Sequence, residues 1–168
     1  MVDEEKLFGL GPGRLYLAPA EVSEADARHL RYYAGPTKDG VTLSYSARIH
    51  EITDYAGKLV RSLRYGERIT LTGKMSRLQP KVLSEMIGAP YENGTLAPGA
   101  LPFAGKLMRV RVVLVCALPG GGEMVFSMIA SATSGMQVRL AGGFDSAVPF
   151  SLTAETDSAG MTGKLVFA

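Results

Sequence analysis

The stretch "KLMRVRVVLVCALPGGGEMVFSMIASATS", residues 106–134, decides the reading of the fold. Apolar residues alternate on both sides of "PGGG", which predicts a β-hairpin of two strands of about ten residues each, roughly 30 Å long at about 3.3 Å per residue. Met108, Val110, Val112, Leu114 and Cys116 share one face. Val113 and Val115 make the other face apolar as well, and Val125 and Ile129 do the same on the return strand. A hairpin that is apolar on both faces needs cover on both, and a chain with one short helix has little to offer. The expectation is that a neighbouring subunit covers it.

Upstream, "ERITLTGKMSRLQPKVLSEMIGAP", residues 67–90, changes period without a break. Ile69, Leu71 and Met75 against Arg68, Thr70, Thr72 and Lys74 read as a strand. Leu78, Val82, Leu83, Met86 and Ile87 then recur at helical spacing. Ser76 with Gln79 has the form of a capping box. The competing start places Gln79 at the cap and Pro80 in the first helical position, where a missing N–H costs nothing. Gly88 and Pro90 end the helix.

The rest of the chain reads mostly as strands. "GRLYLA" from Gly13 is a short strand, and "SEADARHL" from Ser23 is a helical turn capped by Ser23 with Asp26 answering it. "LRYYAG" reads as extended. "DGVTLSYSARI" alternates Val41, Leu43, Tyr45, Ala47 and Ile49 against Thr42, Ser44, Ser46, Arg48 and His50, and the break at Glu51 and Ile52 predicts a bulge. After the turn "DYAGK", the segments "KLVRSLRYG" and "ERITLTGKM" predict two strands parted by Gly66. Residues 88–105, with three prolines and four glycines, have no usable period and predict a long loop. "AVPFSLTAE" and "KLVFA" predict the last two strands. The expected fold class is mainly β, a β-sandwich or barrel with one flanking α-helix, in a single domain over residues 1–168 that includes an N-terminal arm at residues 1–11.

With 168 residues, the chain is long enough to bury a core, and its 46% apolar and 20% charged content excludes wholesale disorder. One cysteine, Cys116, excludes an internal disulfide framework and fits a reducing compartment. With His29 and His50 as the two histidines, no metal-ligand spacing can be assembled, so no metal and no cofactor are expected. The start "MVDEEKLFGLGPG" is acidic and lacks the apolar run of a secretory signal, and no run reaches the length of a membrane span. "GLGPG" and "PGGG" are not followed by helices and read as turns, not phosphate loops. His50 and Glu51, adjacent on a strand, point to opposite faces and should not cooperate. No catalytic site is expected, and the chain reads as something other than an enzyme.

Charge is distributed unevenly. Residues 57–81 carry seven basic residues against Glu67, a local +6 that leaves −4 for the remainder of a chain of net +2. A solvated strand face, a nucleic-acid groove and a face complementary to an acidic neighbour all fit that excess. Tyr65 is the one aromatic in the segment, which disfavours a stacking platform for bases.

In order, "GPGRLYLAP", "GPTKDGVTLSYSARIHEI", "GERITLTGKMSRLQPKVLSEMIG", "VVLVCALPGGGEMVFSMIASATSG" and "VPFSLTAETD" make the chain from Gly11 to Ala168 resemble the major tail proteins, or tail tube proteins, of long-tailed bacteriophages. The resemblance implies a small β-sandwich with a flanking helix, forming stacked hexameric rings whose lumen conducts DNA during genome delivery. It implies a virion tail assembled in the host cytoplasm, without a membrane. The implied partners are further copies of the chain, passing DNA held without specific binding, and other tail proteins such as the tape measure, the terminator and the baseplate or tip. Tubes of type VI secretion systems and gene transfer agents are related alternatives. A monomeric β-barrel that binds a small ligand or nucleic acid is the alternative of a different class. On the tube reading, Lys58, Arg61, Arg64, Arg68, Val113, Val115, Val125 and Ile129 are the candidate subunit contacts. The candidates for contacts between rings are Pro90, Tyr91, Pro98, Pro102 and Phe103 of the long loop, the segment from Gly35 to Gly40 and the N-terminal arm. A moving duplex must not be held by several phosphate contacts per subunit, so a neutral or acidic bore is expected, with residues 58–81 turned into subunit contacts.

Overall fold

The computed structural model describes residues 13–76, 79–81, 84, 89, 91–97, 109–132, 148–156 and 159–168. Within them the protein is mainly β. β1 (Arg14–Pro19) is followed by a four-residue helix, α1 (Glu24–Ala27), and a single 3-10 turn at Leu30–Tyr32. β2 (Tyr33–Thr53) and β3 (Leu59–Met75) form a long hairpin, and β4 (Tyr91–Glu92) and β5 (Thr95–Leu96) a very short one. β6 (Arg109–Ala117) and β7 (Glu123–Ala132) form the hairpin predicted from residues 106–134, and β8 (Val148–Glu155) and β9 (Lys164–Phe167) complete the order.

The strands pair antiparallel in the order β6-β1-β2-β3-β8-β7-β9, and β6 also pairs with β7, which closes the first six strands into a barrel. β7 carries β6 along one edge, and on its other edge carries β9 at residues 124–127 and β8 at residues 129–132. Closure removes the open edges that would otherwise template further pairing. Strand alternation then sorts the side chains. Leu15, Leu17, Leu71, Val112, Leu114, Phe126, Met128, Phe150 and Leu152 fill the barrel, all buried.

The opposite face of the β6–β7 hairpin corrects the expectation of a covering neighbour. Val113, Val115, Val125 and Ile129 are buried by the chain itself, at 0%, 2%, 7% and 5% exposure. The segment between β1 and β2 supplies most of the lid: Ala27 of α1, with Val22, Tyr32 and Tyr33, packs with Tyr16, Ala18, Val113, Val115 and Val125. The rings of Tyr16 and Tyr33 lie 5.3 Å apart at 48°. One helical turn and a few aromatic and aliphatic side chains suffice because the exposed apolar patch is small. These four residues are therefore core, not subunit contacts.

Other local readings divide. Ser23 caps α1 as expected, its Oγ accepting from the Asp26 N–H at 3.1 Å and donating to the Asp26 carboxylate at 2.7 Å. "LRY" is a 3-10 turn, not extended. Gly66 does not separate two strands, because β3 runs through it as one element of 17 residues. The segment Gly35 to Gly40 is not a loop but lies inside β2, where Asp39 and Gly40 take positive φ at a bulge between Lys38 and Val41. Ser76 does not close a capping box; its hydroxyl and N–H both donate to the Pro36 carbonyl at 3.2 Å. Pro80, Lys81 and Ser84 are helical, which fits the start with Pro80 in the first position. The apolar stripe of that helix, Leu78, Val82, Leu83, Met86 and Ile87, lies outside the described residues, as do the N-terminal arm at residues 1–11 and Pro90, Pro98, Pro102 and Phe103. The expected structureless loop contains the β4–β5 hairpin, where Tyr91 pairs with Leu96 across Asn93 and Gly94 at positive φ.

Candidate assembly surface

β2 and β3 outrun the barrel. β1 pairs with β2 only over Tyr33–Pro36, and β8 pairs with β3 only over Thr70–Met75, whereas β2 and β3 stay paired out to Thr53 and Leu59. From Tyr45 and Ile69 outward the hairpin is a free two-stranded ribbon, roughly 25 Å long at about 3.3 Å per residue. Asp54 closes its tip, its carboxylate accepting from the N–H groups of Ala56 and Lys58 at 2.9 and 2.8 Å.

The register assigns the two faces of this arm. Leu43 opposite Leu71 lies on the core face, and two residues on, Tyr45 opposite Ile69 continues it. Ile49 opposite Arg64 and Glu51 opposite Ser62 extend the same face toward the tip. Between Ser46 and Arg48, β2 advances two residues while β3 advances three, from Arg68 to Tyr65, so the extra residue of a bulge sits at Gly66 and Glu67. Gly66 has φ +61°, the left-handed conformation such a bulge requires. Beyond it, Arg48 opposite Tyr65, His50 opposite Leu63 and Ile52 opposite Arg61 form the second face. His50 and Glu51 thus lie on opposite faces, as expected.

Both faces are apolar and exposed. Tyr45, Ile49, Leu59, Val60 and Tyr65 are each half or more exposed, Ile49 and Val60 at 66%. Exposed apolar side chains gathered on a ribbon without its own core make it the candidate interaction surface. β6–β7 is apolar on both faces as expected but covered on both, and the uncovered apolar hairpin is β2–β3.

The basic candidates fall on this arm. Lys58, Arg61, Arg64 and Arg68 are all exposed there. Arg64 pairs with Glu67 at 3.0 Å, and Glu67 also accepts a hydrogen bond from the Tyr45 hydroxyl. Desolvation against the ribbon and that hydrogen bond hold the Tyr45 phenol above its ordinary value of 10.0, so it remains a neutral donor. Arg48 and Arg68, with Ser46, Ala47, Gly66 and Glu67, line an open cleft of about 470 Å³ at the bulge. Arg48 was not among the sequence candidates, because its place opposite Tyr65 depends on the bulge register.

Elsewhere the polar groups have structural tasks. Glu123 joins Arg14 and Arg28, the latter at 2.9 Å. Glu155 joins Arg109 at 2.6 Å and accepts from the Ser131 hydroxyl. Under α1, Glu24 accepts from Ser127 at 2.8 Å and faces Lys164 at 3.7 Å. Cys116 is buried, and desolvation raises its thiol above the ordinary 9.0. Among the described residues no group of three or more His, Cys, Asp or Glu is placed to hold a metal ion, and no helix is long and apolar enough to cross a membrane. Compared with known proteins, the chain matches no family model and no curated protein.

Proposed function

We propose that the chain is a structural subunit of a tube of the phage tail type, self-assembling into stacked hexameric rings whose lumen conducts DNA, and that it is not an enzyme. The observation that carries this reading is the arm: a ribbon with exposed apolar residues on both faces, projecting from a barrel that is already closed and filled. The barrel does not need the arm for its core, since residues from Leu71 to Met75 complete it. Exposed tyrosine, isoleucine, leucine and valine side chains on such a projection are stabilised by burial against another molecule, at about 25 cal/mol per Å² of apolar area covered. Ring closure and stacking both use contacts between unlike surfaces, and a projecting arm that meets a different part of the next copy is such a contact. A barrel that binds a small ligand would be expected to enclose a cavity, whereas among the described residues large side chains occupy the interior of this one.

In this proposal the partners are further copies of the chain, other tail proteins at the tube ends and in its bore, and DNA in transit. The location is a virion tail assembled in a host cytoplasm. Negative-stain microscopy of the purified protein over a range of concentrations tests the proposal. Rings or filaments with a central channel are expected; a monodisperse single subunit at the highest concentration would remove it.

A further inference from the structure

We infer that the arginine-bearing face of the arm docks on the acidic corner around Glu21 and Asp26 of a second copy of this chain. The inference rests on the assembly reading and names the surface that the arm meets.

The docking face carries Arg48, Arg61 and Arg68 beside Ile52, Leu63 and Tyr65, all brought to one side by the register and the bulge. Among the described residues none of the three guanidiniums is in an ion pair, unlike Arg64 on the opposite face. The bulge matters here, because Gly66 takes its φ of +61° and the aliphatic stem of Arg48 lies beside it, Cδ at ordinary contact distance, 3.7 Å, from where a Cβ would stand. Arg48 and Arg68 thereby border one cleft, and a planar guanidinium fork suits a carboxylate. A phosphate backbone would also suit arginine. The apolar half of this face favours protein, because arginine mixed with aromatic and aliphatic groups is the composition of a protein interface core, while one tyrosine makes no stacking platform.

The acidic partner follows by elimination among the described carboxylates. Asp39, Glu67, Glu123 and Glu155 are already held by Lys74, Arg64, Arg14 with Arg28, and Arg109. Glu24 is engaged by Ser127 and Lys164, and Asp54 closes the arm's own turn. Glu51 is on the arm's other face. Glu92 stands on the two-residue strand β4. Glu21 and Asp26 remain as exposed carboxylates of one short segment without an ion-pair partner, Asp26 accepting from the Ser23 hydroxyl through one oxygen, and Leu30, 85% exposed, follows them. That corner offers carboxylates and an apolar side chain to a face offering guanidiniums and apolar side chains. Charge complementarity of this kind fixes register and speeds encounter.

The test uses two variants of the full chain, R48E/R68E and E21R/D26R, in sedimentation velocity at low salt and at about 0.5 M salt, where the screening length falls to a few Å. All four substituted residues are exposed, so the circular dichroism melt of R48E/R68E should match the wild type; E21R/D26R also removes the acceptor of the Ser23 hydroxyl at the start of α1, so its association is read against Asp26→Ala, which loses the same contact without reversing the charge. Each variant alone is expected to need at least tenfold more protein than the wild type to associate. An equimolar mixture should recover most of the wild-type association, because both cross-contacts in it are complementary. Salt should weaken the wild type and the mixture alike. Variants that each associate like the wild type would overturn the docking pair and leave the assembly reading standing. A mixture that associates while the wild type never builds rings would keep the docking pair and remove the tube. If the wild type and the mixture both stay monomeric, both fall. Retention of a duplex DNA fragment that R48E/R68E alone abolishes, with self-association unchanged, would assign the face to phosphate and overturn the inference.

Discussion

Replacing Ile49 and Val60 of the arm by serine separates assembly from folding. Both side chains are 66% exposed in the single chain. Full burial of such a side chain is worth about 1.5–3 kcal/mol, so about two-thirds of that, ~1–2 kcal/mol per residue, is still available to a neighbour. Removing both forfeits ~2–4 kcal/mol per contact, which at about 1.4 kcal/mol per tenfold is a weakening of roughly 30- to 700-fold. The fold should hardly respond. Exposed substitutions of this kind change stability by about 0.5 kcal/mol or less, which for a chain of this length moves Tm by about 2 °C or less. The assay is a concentration series in light scattering or sedimentation beside a thermal melt. Wild-type association in the double variant, or a large fall in Tm without loss of association, would refute the argument that the arm is covered between copies.

Three further outcomes test the barrel itself. Leu71→Ala removes a side chain of 0% exposure from the barrel centre, and denaturant unfolding should show a loss of about 2–5 kcal/mol. In Gly73→Ala the new Cβ would stand 2.9 Å from Phe150 Cζ; forcing that ring aside should cost about 1–3 kcal/mol, and an unchanged unfolding midpoint would refute the close packing of β3 on β8. Because burial raises the Cys116 thiol, the folded state holds its proton more tightly than the unfolded chain. That contribution is complete below the ordinary value of 9.0 and declines as pH rises from there toward the raised value, so Cys116→Ala should flatten the loss of stability in that window.

Local chemistry in the sequence was enough for several elements. Alternation placed β6, β7 and β8 close to their observed limits, and Ser23 with Asp26 marked the start of α1, whereas the bulge expected at Glu51 and Ile52 is not there: both pair in register, and the irregularity lies between Ile52 and Thr53 with its extra residue on β3. The lone Cys116 in an apolar run is the buried residue that run implied. These features depend on side chains a few residues apart, where period and capping act directly.

What lies between strands was decided only in three dimensions. Val113, Val115 and Val125 form a second apolar face in the sequence, and nothing in their spacing reveals that Ala27, Val22 and Tyr32 return to cover it. Conversely, the alternation of β2 reads as an ordinary half-buried strand, and its exposure follows from β1 and β8 ending their pairing before β2 and β3 do. Arg48, Arg61 and Arg68 share a face through a one-residue bulge at Gly66, which shifts every side chain of β3 beyond it to the other side. Burial is a property of contacts between distant segments, so the pattern of one strand states which residues can face a core and the closure of the barrel determines which of them do.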